Sequence, residues 1–348
     1  MRVLATLPQD DLNDVPAAAR AAEAAGYDGL VTMENRNEPF LALGVAAVNT
    51  PRIGLATGIA IAFSRSPMAV ATASWDLQVA SRGRFVLGLG SQVRAHNENR
   101  FSVKWTPPAP RLREYVEALR VIWRCWEQGG KLDYQGQHYR FTLMTPNFVP
   151  NSTQQPMVPV TLAAVGPAML RVAGEVADGV RLHPFCTRRY LDEVVMRELR
   201  TGFVKSGRAR ERFEISGGGF IATGADAETV AKMVEWVRYR VAFYGSTPAY
   251  WPVLEVHGLQ ELGRKLNVMS KAGQWDAMAR EISDDVVRLF AAVGTHRELA
   301  GVIAERFGGA ADAVALSGGY GVKQDIPADL IQDIRRIPRA FTGFPVGW

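Results

Sequence analysis

The stretch that most constrains this chain is Pro51 to Phe101. Ile53, Leu55, Ile59 and Ile61 form a β-branched, apolar run interrupted by Gly54 and Gly58. Ser66-Pro67 then opens a helix, because a serine hydroxyl accepts from the first free amides and proline suits the first turn. The helix carries apolar residues through Leu77 and Val79 and stops at Ser81-Arg82-Gly83. Arg84-Phe-Val-Leu-Gly-Leu-Gly90 is a second strand, followed by Ser91, Gln92, Arg94, His96, Asn97 and Glu98. Strand, helix and strand with short connections make a parallel βαβ unit. Ligands of such units gather at the C-terminal strand ends, so the polar residues after Gly90 are the first place to look for chemistry.

The rest of the chain repeats the unit. Residues 3–7 read as a strand, and Asp14-Val-Pro16 starts a helix that Gly26 ends. Residues 27–33 read as a strand that runs into Glu34-Asn35-Arg36-Asn37-Glu38, and residues 39–48 as a helix. After three prolines, residues 111–128 place Leu112, Tyr115, Leu119, Ile122 and Trp126 on one helical face. Residues 132–141 alternate about Gly136 and predict a β-hairpin insertion over about 131–142. Residues 158–164 are strand five. Val165-Gly166-Pro167 then leads straight into a helix over 168–176, and a helix start this near a strand end suits an anion. Residues 178–184 are strand six with His183 at its end, residues 188–205 a helix, 213–222 strand seven and 228–243 a helix. Residues 244–292 read as a helical insertion. A helix over 295–306, strand eight over 313–316 and a last helix over 327–336 complete the chain. Eight strands alternating with helices predict an α/β fold, a (β/α)8 TIM barrel, as a single domain over 1–348; an open doubly wound sheet is the alternative.

Charge and cysteine usage remove other classes. The 40 basic and 35 acidic residues leave a net charge of +5, and the densest basic points, Arg188-Arg189 and Arg335-Arg336, are pairs rather than patches, which argues against nucleic acid as a partner. Cys125 and Cys186 lie far apart with no metal-ligand spacing, so a reduced, cytoplasmic protein without a metal is expected. No run of about 18 apolar residues predicts a membrane span. The N-terminal MRVLATLPQDD meets a proline and two aspartates too early for a signal peptide.

Leu87-Gly-Leu-Gly90 lacks the third glycine of a dinucleotide fingerprint, and its glycines read instead as strand-end geometry. Glu34 and His183 follow strands, and each is either a pocket group or a plain strand-end side chain. His96 lies on the loop after strand four and is a pocket candidate on the same footing. No nucleophile elbow is present. The residues by themselves describe a barrel enzyme for an anionic ligand.

Arg65-Ser-Pro67, Ala80-Ser-Arg-Gly-Arg-Phe-Val-Leu-Gly-Leu-Gly90, Ala163-Ala-Val-Gly-Pro167 and Ala173-Gly-Glu-Val-Ala-Asp-Gly179 together resemble the luciferase-like monooxygenase superfamily, the bacterial luciferase-like flavin and deazaflavin oxidoreductases, over residues 1 to about 320. Phe243-Tyr-Gly-Ser-Thr-Pro-Ala-Tyr250 and Val253-Leu-Glu-Val-His-Gly258 are similar to its coenzyme F420-dependent branch. The resemblance implies a ring-shaped cofactor in the C-terminal mouth. It implies a bulge with a non-proline cis peptide after strand three, matched by Thr57-Gly58-Ile59, and a phosphate site at Val165, Gly166, Pro167 and Ala168. Ser91, Gln92, His96 and Asn97 would touch the ring and tail. The activity implied is hydride transfer at C5 of the deazaflavin, with Glu34, His96 and His183 as candidates for the proton role. The alternatives are a monooxygenase using reduced FMN from a reductase partner, and a cofactor-binding barrel without catalysis. Members that oxidise glucose 6-phosphate carry a histidine after strand two and a glutamate after strand four. Met33-Glu34-Asn35 and Val93-Arg94 stand there, so that substrate is not expected. The lysine that some members place beside Gly-Pro is Ala168 here. Phe63, Trp105, Phe185, Tyr244, Tyr250 and Trp251 suit either a planar or apolar small-molecule substrate or simple core packing. The sequence leaves the oligomeric state open, with a homodimer as one option.

Overall fold

Three aspartates set the floor of the molecule, each directly preceding a strand. In the computed structural model, which describes residues 1–316 and 325–345, eight parallel strands form a closed ring. They are β1 (Arg2–Thr6), β2 (Gly29–Thr32), β3 (Gly54–Thr57), β4 (Phe85–Gly90), β5 (Val160–Ala164), β6 (Gly179–Leu182), β7 (Glu214–Gly217) and β8 (Ala313–Ala315). Asp28 precedes β2 and accepts from the Val3 amide of β1 at 2.9 Å. Asp178 precedes β6 and accepts from Val160 of β5 at 2.8 Å. Asp312 precedes β8 and accepts from Ile215 of β7 at 2.8 Å. Each carboxylate thus fixes the register of its strand against the one before, and each has an arginine partner: Arg335, Arg120 with Arg208, and Arg210.

The ring order is β3-β2-β1-β8-β7-β6-β5-β4, closed by β3 on β4 through Leu55 opposite Phe85. This is the predicted (β/α)8 TIM barrel. The helices pack outside it. The helix Pro108–Gln128 buries Leu112, Tyr115, Leu119, Ile122 and Trp126, the face that its spacing predicts. Ser66 caps the helix Pro67–Ala80 through the Met68 amide at 3.2 Å. The hairpin insertion is present as Tyr134–Gln135 against Arg140–Phe141.

The structure corrects the sequence reading between residues 213 and 306. Strand seven is not one strand over 213–222. The chain turns at Gly217 and Gly218, whose φ of 86° and 117° suits glycine. A separate strand, Phe220–Gly224, then leaves the ring and pairs with Ala291–Thr295. The helical insertion therefore ends at Phe290 rather than 292, and Thr295 closes a strand instead of opening a helix, which begins at Leu299. The five residues Ala-Ala-Val-Gly-Thr directly follow a helix with no breaker between, so periodicity has nothing to distinguish them by. The expected loop at His96 is also a short helix, Arg94–Asn99.

Candidate active site

The seam between β3 and β4 builds one wall of the barrel mouth. Thr57 Oγ1 donates to Gly88 O at 2.7 Å and accepts from Gly88 N at 2.8 Å. A Cβ at residue 88 would lie 2.0 Å from the Thr57 carbonyl, so only glycine lets the strands approach this closely. The following Gly58–Ile59 peptide is cis, at the position the resemblance implies. The chain resumes as Ala60–Ile61 beside the end of β4. A Cβ at Gly90 would lie 2.8 Å from the Ile59 side chain. The glycines of Leu87-Gly-Leu-Gly90 are thus the space into which the bulge folds.

Glu34, beyond the end of β2, fastens that bulge. Its carboxylate accepts from the Ile61 amide at 2.7 Å and from Arg65 Nη1 at 2.8 and 2.7 Å. Its own amide donates to Ile59 O at 3.3 Å. The side chain is 7% exposed. Arg65 also reaches Glu38 at 3.4 Å. Both carboxylate oxygens are engaged, so in this arrangement Glu34 supports the wall.

After β4, Asn97 is buried and donates from Nδ2 to Ser91 O at 2.9 Å and Val93 O at 3.0 Å. Its Oδ1 is buried without a hydrogen-bond partner among the described residues. Gln92 has a φ of 56° and accepts from Val93 N at 2.8 Å. His96 is exposed on the short helix. Directly after β5, Val165 O accepts from the Tyr190 hydroxyl at 2.9 Å. Gly166 extends into the helix Pro167–Val176, whose start has no side-chain cap, and a Cβ at Gly166 would meet nothing within 4 Å. Arg171 is tied to Glu198 at 2.7 Å.

His183, at the end of β6, is half-buried. Its Nδ1 accepts from Phe185 N at 2.9 Å. The neutral ring therefore carries its proton on Nε2. Burial, with Arg240 adding to it, pushes its pKa down to about 4. Tyr244 stands edge-on to the imidazole at 4.3 Å between centroids, and Tyr250 lies at 4.8 Å. Phe185 packs behind Tyr250 at 5.6 Å and on Phe290 at 4.4 Å. The insertion thus seats two tyrosines on a strand-end histidine. Sequence spacing predicts neither the contact of these tyrosines with His183 nor Arg65 as the partner of Glu34; Arg65 stands in the Arg65-Ser-Pro67 motif, which signals only the family resemblance.

The candidate positions therefore follow the C-terminal ends of β2 to β6, which adjoin one another around the ring. Among the described residues, no three His, Cys, Asp or Glu side chains stand together as a metal site. Residues 2–313 match the family model for luciferase-like monooxygenases. The chain belongs to this family. An uncharacterised protein of Mycobacterium tuberculosis is 46% identical over 324 residues, covering 91% of this luciferase-like chain and 95% of the relative. A 5,10-methylenetetrahydromethanopterin reductase of Archaeoglobus fulgidus is 29% identical over 286 residues, covering 79% and 80%. Among solved structures, the coenzyme F420-dependent tetrahydromethanopterin reductase of Methanopyrus kandleri shares the fold with a TM-score of 0.76, 22% identity and 97% coverage of each chain. An F420-dependent secondary alcohol dehydrogenase in complex with an F420–acetone adduct shares it at 0.70, with 18% identity and coverage of 96% and 99%.

Proposed function

We propose that this chain is a coenzyme F420-dependent oxidoreductase that passes a hydride between the deazaflavin C5 and a small planar or apolar organic substrate. When bound, the cofactor supplies the hydride-carrying carbon. The observation that carries the reading is the uncapped helix start at Gly166-Pro167, set on the strand between the β3–β4 wall and His183. Asn97 Oδ1 is a buried acceptor awaiting a donor, and Gly166 fronts open space. A group with an anionic end and hydrogen-bond donors fits both. The amides of Ala168 and Met169 would hold the phosphate. Thr57, Gly58 and Ile59, with Ser91, Gln92 and Asn97, would hold the ring. Glu34 and Arg65 keep the bulge in place. Tyr244 and Tyr250 offer aromatic faces to a planar substrate, and His183 offers an Nε2 proton. The methylenetetrahydromethanopterin reductase relative, whose solved counterpart from Methanopyrus kandleri is F420-dependent, supports the deazaflavin.

Fluorescence-quenching titration of the purified protein with coenzyme F420 and with FMN tests this. The expected result is micromolar binding of F420 and weaker binding of FMN. Binding of FMN alone would point to a monooxygenase fed by a reductase partner, and binding of neither to a barrel without catalysis.

A homodimer has support in the helix Leu41–Asn49, which is apolar on both sides. Ala42, Leu43, Ala46 and Ala47 are buried, while Leu41 and Val48 are 60% and 73% exposed. Sedimentation velocity is expected to give a dimer for the native chain and a monomer for Leu41→Glu/Val48→Glu; a native monomer at micromolar concentration would refute the dimer. Among the described residues, no helix is long and apolar enough to cross a membrane, and we place the protein in the cytoplasm.

A further inference from the structure

The barrel interior carries charge where such barrels carry branched aliphatic layers. Arg2, Arg181 and Glu214 line a cavity of about 20 Å³ together with Leu4, Gly29, Gly54 and other residues of the strands. No helix residue contributes to it, so it lies inside the ring, toward the end where β1, β2, β3 and β7 begin. Arg2 forms an ion pair with Glu214. Arg181 donates Nε to Thr161 Oγ1 at 3.0 Å. No carboxylate among the described residues is within ion-pair distance of Arg181. The other acids near the floor are already committed, Asp28 to Arg335, Asp178 to Arg120 and Arg208, and Asp312 to Arg210. Glu214 is thus taken by Arg2, and Arg181 has no carboxylate partner among the described residues.

An arginine stays protonated at any ordinary pH, so it cannot discharge itself as a buried lysine or histidine does. A buried, uncompensated charge costs several kcal/mol unless a counter-charge or dense hydrogen bonding offsets it. Burial works against the charge of Arg181, and Glu214, the one acid acting in its favour, is paired with Arg2. We infer that the barrel floor is a binding site for a monatomic anion of chloride or bromide size, held between the Arg2 and Arg181 guanidiniums. A cavity able to hold one water needs at least about 10–15 Å³ on this measure. This one therefore admits a single small ion and shuts out sulfate, phosphate and carboxylates. The inward side chains of Leu4, Val31, Ala56 and Val86 make its walls apolar, which favours a weakly hydrated halide.

The inference is independent of the cofactor reading. Thermal unfolding is measured at constant ionic strength in sodium gluconate, whose anion is too large to enter, with chloride or bromide replacing it stepwise. Saturable stabilisation is expected, with Tm rising by about 3 °C once the halide reaches a hundred times its dissociation constant. Arg181→Met is expected to unfold at the same temperature in all three salts. Bromide anomalous diffraction from the native protein provides a readout that needs no variant, and a peak between Arg2 and Arg181 is expected. Equal Tm values in gluconate and halide, or no bromide peak at that position, would overturn the proposal.

Discussion

Asp312→Ala is expected to cost this protein about 3–5 kcal/mol, the range for removing one partner of a buried ion pair. Asp312 is fully buried. One oxygen accepts from Arg210 at 2.9 Å and from Ile215 N at 2.8 Å. The other accepts from Ala340 N at 3.1 Å and Phe341 N at 2.9 Å. Alanine leaves one guanidinium and three amides without their acceptor, and it releases three separate segments: β7, the start of β8 and the chain near residue 340. An unmade buried bond costs more than a made one contributes, which puts this site in the exceptional class of substitutions. Glu228→Ala is the comparison. Its ion pair with Lys232 is exposed on a helix surface, where such pairs contribute only about 0.3–0.5 kcal/mol. Urea unfolding of both variants decides. If Asp312→Ala moves the midpoint no further than Glu228→Ala does, the aspartates do not fix the floor of the barrel.

The same aspartates stand in a sequence pattern whose task only the structure reveals. Tyr27-Asp-Gly-Leu30, Ala177-Asp-Gly-Val180 and Ala311-Asp-Ala-Val314 share one short pattern, and the structure gives all three the same task. The barrel could be read because strand and helix periods alternate strongly from residue 2 to about 210, and because the prolines and glycines at Pro16, Gly26 and Pro67 mark helix ends by local chemistry. Past Gly217 the local signals weaken. Whether Phe220–Gly224 and Ala291–Thr295 are strands is decided by their pairing across some seventy residues, a non-local contact that neither segment announces. The site was legible in its backbone part, because the glycines and the Gly-Pro turn are local requirements. The side-chain partnerships were not. Nothing in the spacing links Glu34 to Arg65 or His183 to Tyr244 and Tyr250, since the barrel alone brings together residues about thirty and sixty positions apart.

His183→Gln is expected to flatten the acid limb of the protein's stability curve and to lower kcat without weakening cofactor binding. The unfolded chain takes up a proton on this histidine near pH 6.5, whereas the folded chain resists until about pH 4, because burial disfavours the imidazolium. Between those values the unfolded state binds more protons, so stability is complete above pH 6.5 and falls as pH drops toward 4. At 1.36 kcal/mol per pH unit the gap amounts to roughly 3 kcal/mol. Glutamine does not titrate, so the variant should lose this slope, as urea unfolding at pH 7 and pH 4.5 would show. The same geometry narrows the chemical role. Nδ1 is occupied by the Phe185 amide and the ring stays neutral, so between pH 5 and 8 His183 is neither a base nor an imidazolium acid. On the proposed reading it would act through Nε2–H as a fixed hydrogen-bond donor to a substrate oxygen. Removing one such donor costs about 10²–10³ in kcat. The pH–rate profile of the native enzyme should then show no ionisation of His183 between pH 5 and 8. An unchanged kcat in His183→Gln, or a stability slope that persists in it, would show that the tyrosine wall rather than the histidine defines this side of the mouth.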